Sequence, residues 1–109
     1  MNAPAKIPAR RDQYIPMVQS FLPGCEGEDV ALRCSLLLMR DSATAALRRC
    51  SEEAYGTLEQ VQRLAGEYAF ATMTTDRLKQ LRYALLRLVT CANALELFAF
   101  DDGGRDAGG

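Results

Sequence analysis

TDRLKQLRYALLRLVTCANALELFAF, residues 75–100, is the stretch that decides the fold. Leu78, Leu81, Leu85, Leu88, Ala92, Leu95 and Ala99 recur at steps of three and four, the spacing of a packed helix seam. A second row, Leu86, Val89, Leu97 and Phe100, lies on another side of the same helix, with Asn93 set among it. An apolar row with no partner inside the chain points to a partner outside it. Full burial of each such side chain is worth roughly 1.5–3 kcal/mol, which over two chains competes with an association cost of ~4–15 kcal/mol. The row therefore predicts a homodimer. Asn93 either faces solvent or pairs across a twofold axis and sets the register.

Working backwards, a long helix is expected over about 28–55, opened by the acids of Glu26-Gly27-Glu28-Asp29, which suit the positive end of a helix dipole. Leu32, Leu36, Met39, Ala43, Ala46, Leu47, Cys50 and Ala54 share its main face. Val30, Leu37, Leu38 and Ala45 form a second apolar patch near its start. In an antiparallel hairpin this patch would lie beside the second row of the last helix, and the two would form one interface. Gly56 with Thr57 and Gln60 is a candidate break with capping-box spacing. Against it, Leu58, Val61, Leu64, Ala65 and Tyr68 continue the stripe almost in phase, which favours continuity or a mild kink. The remaining helices are expected over about 57–71 and 75–100, with Thr74 or Thr75 capping the last and Asp76 in its first turn.

At the N-terminal side, residues 10–23 read as an arm: Tyr14, Ile15, Met17, Val18, Phe21 and Leu22 are its apolar groups, Pro16 suits a first helical turn, and Pro23-Gly24 stops it. The arm either closes over the end of the bundle or lies across a partner. Residues 1–9 and 101–109 lack apolar periodicity, and four of the last nine are glycine, so both ends are expected to be disordered.

The whole is an all-α expectation: a helical hairpin or bundle of two or three long antiparallel helices plus a short N-terminal arm helix, in one domain of 109 residues. Net charge is −1, from 13 basic and 14 acidic residues, which is not the footprint of a nucleic-acid binder. A helix-turn-helix would also need shorter helices and a basic recognition helix. Arg77, Lys79, Arg82 and Arg87 stand together with no acid between Asp76 and Glu96, either as a solvated rim or as a docking strip for an acidic surface. No run of about 20 residues is free of charge, and no long apolar leader opens the chain, so no membrane is expected and the expected compartment is the cytoplasm.

Histidine is absent, so histidine triads and histidine metal sites are excluded. Cys25, Cys34, Cys50 and Cys91 include no Cys-x-x-Cys pair. The last three read as reduced core residues and Cys25 as exposed. No phosphate loop, nucleophile elbow or dinucleotide fingerprint occurs, and no cofactor is expected. Glu52 and Glu53 point about 100° apart on a helix and read as solvated.

With its long helices and the cations Arg33, Arg40, Arg48 and Arg82, the chain resembles in architecture the all-helical chorismate mutases. That resemblance implies a cationic cage around a dicarboxylate in an intertwined dimer. In size and helical content the chain is also similar to the small all-helical antiactivators that sequester quorum-sensing transcription factors. That resemblance implies a non-enzymatic regulatory inhibitor or adaptor whose partner is a protein such as a transcriptional regulator. A secretion chaperone or a structural helical subunit is the alternative.

Overall fold

A computed structural model describes residues 10–96, with side chains from Arg11 to Ala92. Among these the fold is all-α: a short 3₁₀ helix over Arg10–Tyr14, then α1 (Ile15–Phe21), α2 (Glu28–Ala46), α3 (Glu52–Ala69) and α4 (Thr75–Glu96). The expected disorder of residues 1–9 and 101–109, and the expected helix over 97–100, lie outside the described residues.

Local chemistry sets each boundary. Pro16 sits in the first turn of α1, where its missing N–H costs nothing. Gly24 (φ 90°) and Gly27 (φ 66°) take the left-handed backbone that carries the chain from α1 into α2. Thr74 caps α4: its Oγ1 accepts from the Arg77 N–H at 3.2 Å.

The break after α2 falls elsewhere than expected. The helix ends at Ala46 instead of near residue 55, and α3 runs through Gly56 without interruption. The cause is Ser51. Its backbone is extended, its hydroxyl accepts from the Ala54 N–H at 3.2 Å, and Glu52 and Glu53 follow in the first turn of α3. Glycine at 56 costs roughly 1 kcal/mol within a helix, too little to stop a helix already nucleated. Arg48 and Cys50 thereby leave the helix on which the spacing placed them and enter the connection to α3.

α2 is the centre of the molecule and packs against every other described element. From Arg33 to Met39 every residue on it is buried. A helix apolar on more than one side is what a central position requires. Val30 and Leu37 accordingly join the core, together with Leu36, Met39, Leu58, Val61, Leu78 and Leu85. Leu38 is buried on another side of α2, between Ser35 and Asp41. Both of those accept hydrogen bonds from the N-terminal 3₁₀ helix, from Arg11 Nη1 at 3.3 Å and from the Tyr14 hydroxyl respectively. The surplus read on the start of α2 is thus covered by the chain's own arm, with Val18 fully buried beneath α1.

On α4 the core line is Leu78, Leu85, Val89 and Ala92. At about 100° per residue, Leu85 and Val89 are only about 40° apart. Val89 therefore belongs to the core side and not to a separate face, and Leu86 is half-buried against the same core.

Candidate functional site

The expected interface residues do not form one open surface. Val30, Leu37, Leu38 and Val89 are buried within the single chain, and Leu86 is half-buried. Asn93 lies on α4, beyond the described side chains, and Leu97 and Phe100 lie outside the described residues. Among the described interface residues, burial inside one copy replaces the expected exposure, because α2 is central and Val89 turns inward.

The arm divides into an inner and an outer side. Val18 is fully buried, and Tyr14, Ile15 and Leu22 are half-buried against the core. Met17 and Phe21, one turn apart, face out and are 41% and 67% exposed. The Phe21 ring is not loose: its centroid is 5.0 Å from that of Phe70 at the end of α3, with the planes tilted by 57°. Tilted aromatic pairs at this separation are favourable beyond their burial. The result is an aromatic and thioether patch held in place by the arm's buried side.

A second cluster lies where α2 starts. Cys25, Asp29 and Arg33 are spaced by four and line a cleft of about 380 Å³ with Leu22, Pro23, Gly24, Thr72 and Met73. The Cys25 thiol donates to Asp29 Oδ2 at 3.1 Å, and Arg33 Nε donates to Asp29 Oδ1 at 3.1 Å. The buried Arg33 also donates through Nη1 to the carbonyls of Ala69 and Ala71. Those carbonyls end α3, so the guanidinium is a helix C-cap supplied by a neighbouring helix.

Cys25 is therefore buried and not exposed as its Pro-Gly setting suggested. Burial first, then the hydrogen bond to Asp29 and that carboxylate's charge, push its thiol up to about 11. A thiol held protonated against a carboxylate is a poor nucleophile and a poor metal ligand. Burial likewise raises Cys34. Cys91, expected in the core, is the exposed one, and Cys50 is half-buried. Among the described residues no group of cysteine and acidic side chains is placed to hold a metal ion, and no helix is long and apolar enough to cross a membrane.

Of the four arginines considered for a cationic cage, Arg33 is committed to α3 carbonyls and Asp29. Arg40 Nε donates to Asp41 at 2.9 Å, and Arg48 is exposed in the connection after α2. Arg82 lies on α4.

A third surface was not read from the sequence. The outer side of α4 forms an open cleft of about 780 Å³ walled by Gln80, Tyr83, Ala84, Arg87 and Leu88. Tyr83 is 72% exposed. Its signal lay in Ala84 beside Tyr83 and Leu88, where a small side chain makes an apolar line easy to overlook. Compared with protein-family models, curated proteins and solved structures, the chain matches none.

Proposed function

We propose that the protein is a non-enzymatic protein-binding module of the cytoplasm, self-associating and acting as a small regulatory inhibitor or adaptor that sequesters a partner such as a transcription factor. One observation carries this reading: Phe21 stands 67% exposed beside Met17, yet rests on Phe70. An aromatic side chain ordered before binding loses little freedom on contact, which is the energetic profile of an interface hot spot. The buried face of the arm supplies the anchorage and its outer face the contact. Cys25, Asp29 and Arg33 are engaged with one another or with the backbone, which favours binding over catalysis as the role of that cleft.

The test is a capture from the native cell with the full chain, comparing wild type with Met17→Ala/Phe21→Ala. The reading expects one protein to be enriched by wild type and lost with the variant, while the melting temperature changes by only a few degrees. That protein, if a transcription factor, should lose DNA occupancy in proportion to added wild-type chain. Identical capture by both chains, or a variant that no longer folds while Tyr55→Ala is captured normally, makes the arm a structural lid and rejects the proposal.

A further inference from the structure

The Arg33 guanidinium is only partly used by the fold. The residue is 3% exposed. Its Nε donates to Asp29, and its Nη1 donates to the carbonyls of Ala69 and Ala71. Nη2 carries two more N–H groups, and among the described residues it has no partner. Idle donors on a buried cation are costly and point to a missing acceptor. Arg33 walls the 380 Å³ cleft and is otherwise enclosed, so Nη2 is the part of it that a ligand can reach.

An acceptor stands beside that donor. The Nε and Nη2 hydrogens leave the same edge of the planar guanidinium, so Nη2 lies next to the carboxylate that Nε holds. Asp29 Oδ2 accepts from the Cys25 thiol and keeps a lone pair, and the Asp29 side chain is 29% exposed on the same cleft. We infer that the cleft binds a carboxamide, the side chain of an asparagine or glutamine on a partner protein. The amide oxygen accepts from Arg33 Nη2, and the amide NH₂ donates to Asp29 Oδ2. Leu22 and Met73 supply apolar wall for the methylenes behind it.

Charge selects the occupant. Arg33 and Asp29 cancel, so the cleft offers no net charge to an ion. A carboxylate or phosphate on Nη2 would be set against Asp29, and an ammonium on Asp29 would be set against the guanidinium. An apolar side chain would leave Nη2 unpaired after removing its water. A neutral group with an acceptor and a donor side by side meets both. Place argues for a protein source. Leu22 follows Phe21, and Thr72 comes two residues after Phe70, so the cleft opens next to the Phe21–Phe70 pair. The inference rests on the proposed docking role of the arm and adds a polar subsite to it.

Titration of the full chain with N-acetylglutamine methylamide, and with its glutamate and leucine counterparts, tests this. The readout is the NMR shift of the Arg33 Nε–H and of the Cys25 backbone amide. The glutamine compound should saturate both signals, with a dissociation constant about tenfold below those of the other two. Asp29→Asn puts an NH₂ where the carboxylate accepted. Two adjacent donors should then reverse the order, with the glutamate compound binding tighter than the glutamine one. A merely structural Asp29 would not reverse it. Glutamine binding no better than leucine or glutamate on wild type overturns the inference, and so does an unchanged order in a folded Asp29→Asn chain. Should that variant not fold, the wild-type ranking decides alone. Binding of these compounds needs no partner, so its failure strikes the subsite and leaves the Phe21 patch standing. A patch that captures nothing leaves their ranking untouched.

Discussion

Arg33 on α2 donates its Nη1 hydrogen to the carbonyl of Ala71 at 2.6 Å, two residues past the end of α3. The same nitrogen reaches the Ala69 carbonyl at 3.1 Å, and Nε holds Asp29. One buried side chain thus ties the central helix to the terminus of its neighbour and fixes the carboxylate that accepts from Cys25. Arg33→Met should keep the volume but orphan two carbonyls and leave the Asp29 carboxylate without its cation. We expect a loss of about 2–4 kcal/mol in urea unfolding. Arg33→Lys should recover only part of it, because a single ammonium lacks the forked geometry. A change under 1 kcal/mol for Arg33→Met would remove the cap from the account of stability.

Ser51 and Gly56 make a paired test of where the helices divide. Ser51→Ala removes the hydroxyl that accepts from Ala54 and should cost about 1 kcal/mol, with Ser51→Asp close to neutral. Gly56→Ala should stabilise by about 0.5–1 kcal/mol, since nothing lies within 4 Å of an added methyl. Gly66→Ala should gain less: its methyl would sit 3.2 Å from Arg40 Cδ, and the Arg40–Asp41 bond would have to yield. Thermal melts of the four glycine and serine variants rank them directly. Destabilisation by Gly56→Ala would mean that the helix bends there after all.

The cysteines differ in environment and should differ in reactivity. At pH 8, Cys91 should be alkylated first, while Cys25 stays unmodified until the chain unfolds. The raised Cys25 value also gives a sign to the pH dependence of stability. Below the ordinary thiol value of 9.0 both folded and unfolded chains keep the proton. Between 9.0 and about 11 the unfolded chain releases it and the folded chain does not, so this group's stabilising contribution falls across that window. Cys25→Ala should flatten the decline seen for wild type over the same range. Mass mapping of alkylated sites and melts from pH 8 to 11 check both expectations. Prompt alkylation of Cys25 at pH 8 would contradict its burial.

All-α character, the arm, its proline and the Thr74 cap were legible because each rests on local chemistry within a few residues. The division at Ser51 was equally local, since Ser51-Glu52-Glu53 is a helix-start pattern, but the longer-range stripe through Leu47, Cys50 and Ala54 masked it. The surface residues were misread for a different reason. Whether Leu37 or Leu38 faces a partner depends on what folds over them, and Tyr14 and Arg11 reach α2 from residues 27 and 24 positions away. Periodicity within one helix carries no information about such a cover. Val89 was the exception: its angle to Leu85 was computable from the helix alone. The ladder Cys25, Asp29, Arg33 was likewise visible as a spacing of four, but its role as a cap on α3 required the tertiary fold.

Coverage of α2 by the arm leads to the last prediction. Val18 is fully buried, and Leu38 lies on the side of α2 bounded by the two residues that bond Arg11 and Tyr14. Removing the N-terminal residues through Pro23 should uncover Leu38 and the seat of Val18 while leaving α2, α3 and α4 complete. The shortened chain should therefore bind an environment-sensitive apolar dye, melt at a lower temperature and associate further with rising concentration. Leu38→Gln in the shortened chain should reduce dye binding and association, because the amide tolerates water where leucine does not. In the full chain the same substitution should destabilise by about 1–3 kcal/mol, since the buried amide would lose its water partners beneath the arm. A shortened chain as stable and as free of dye as the full one would show that α2's second side is covered by something other than the arm.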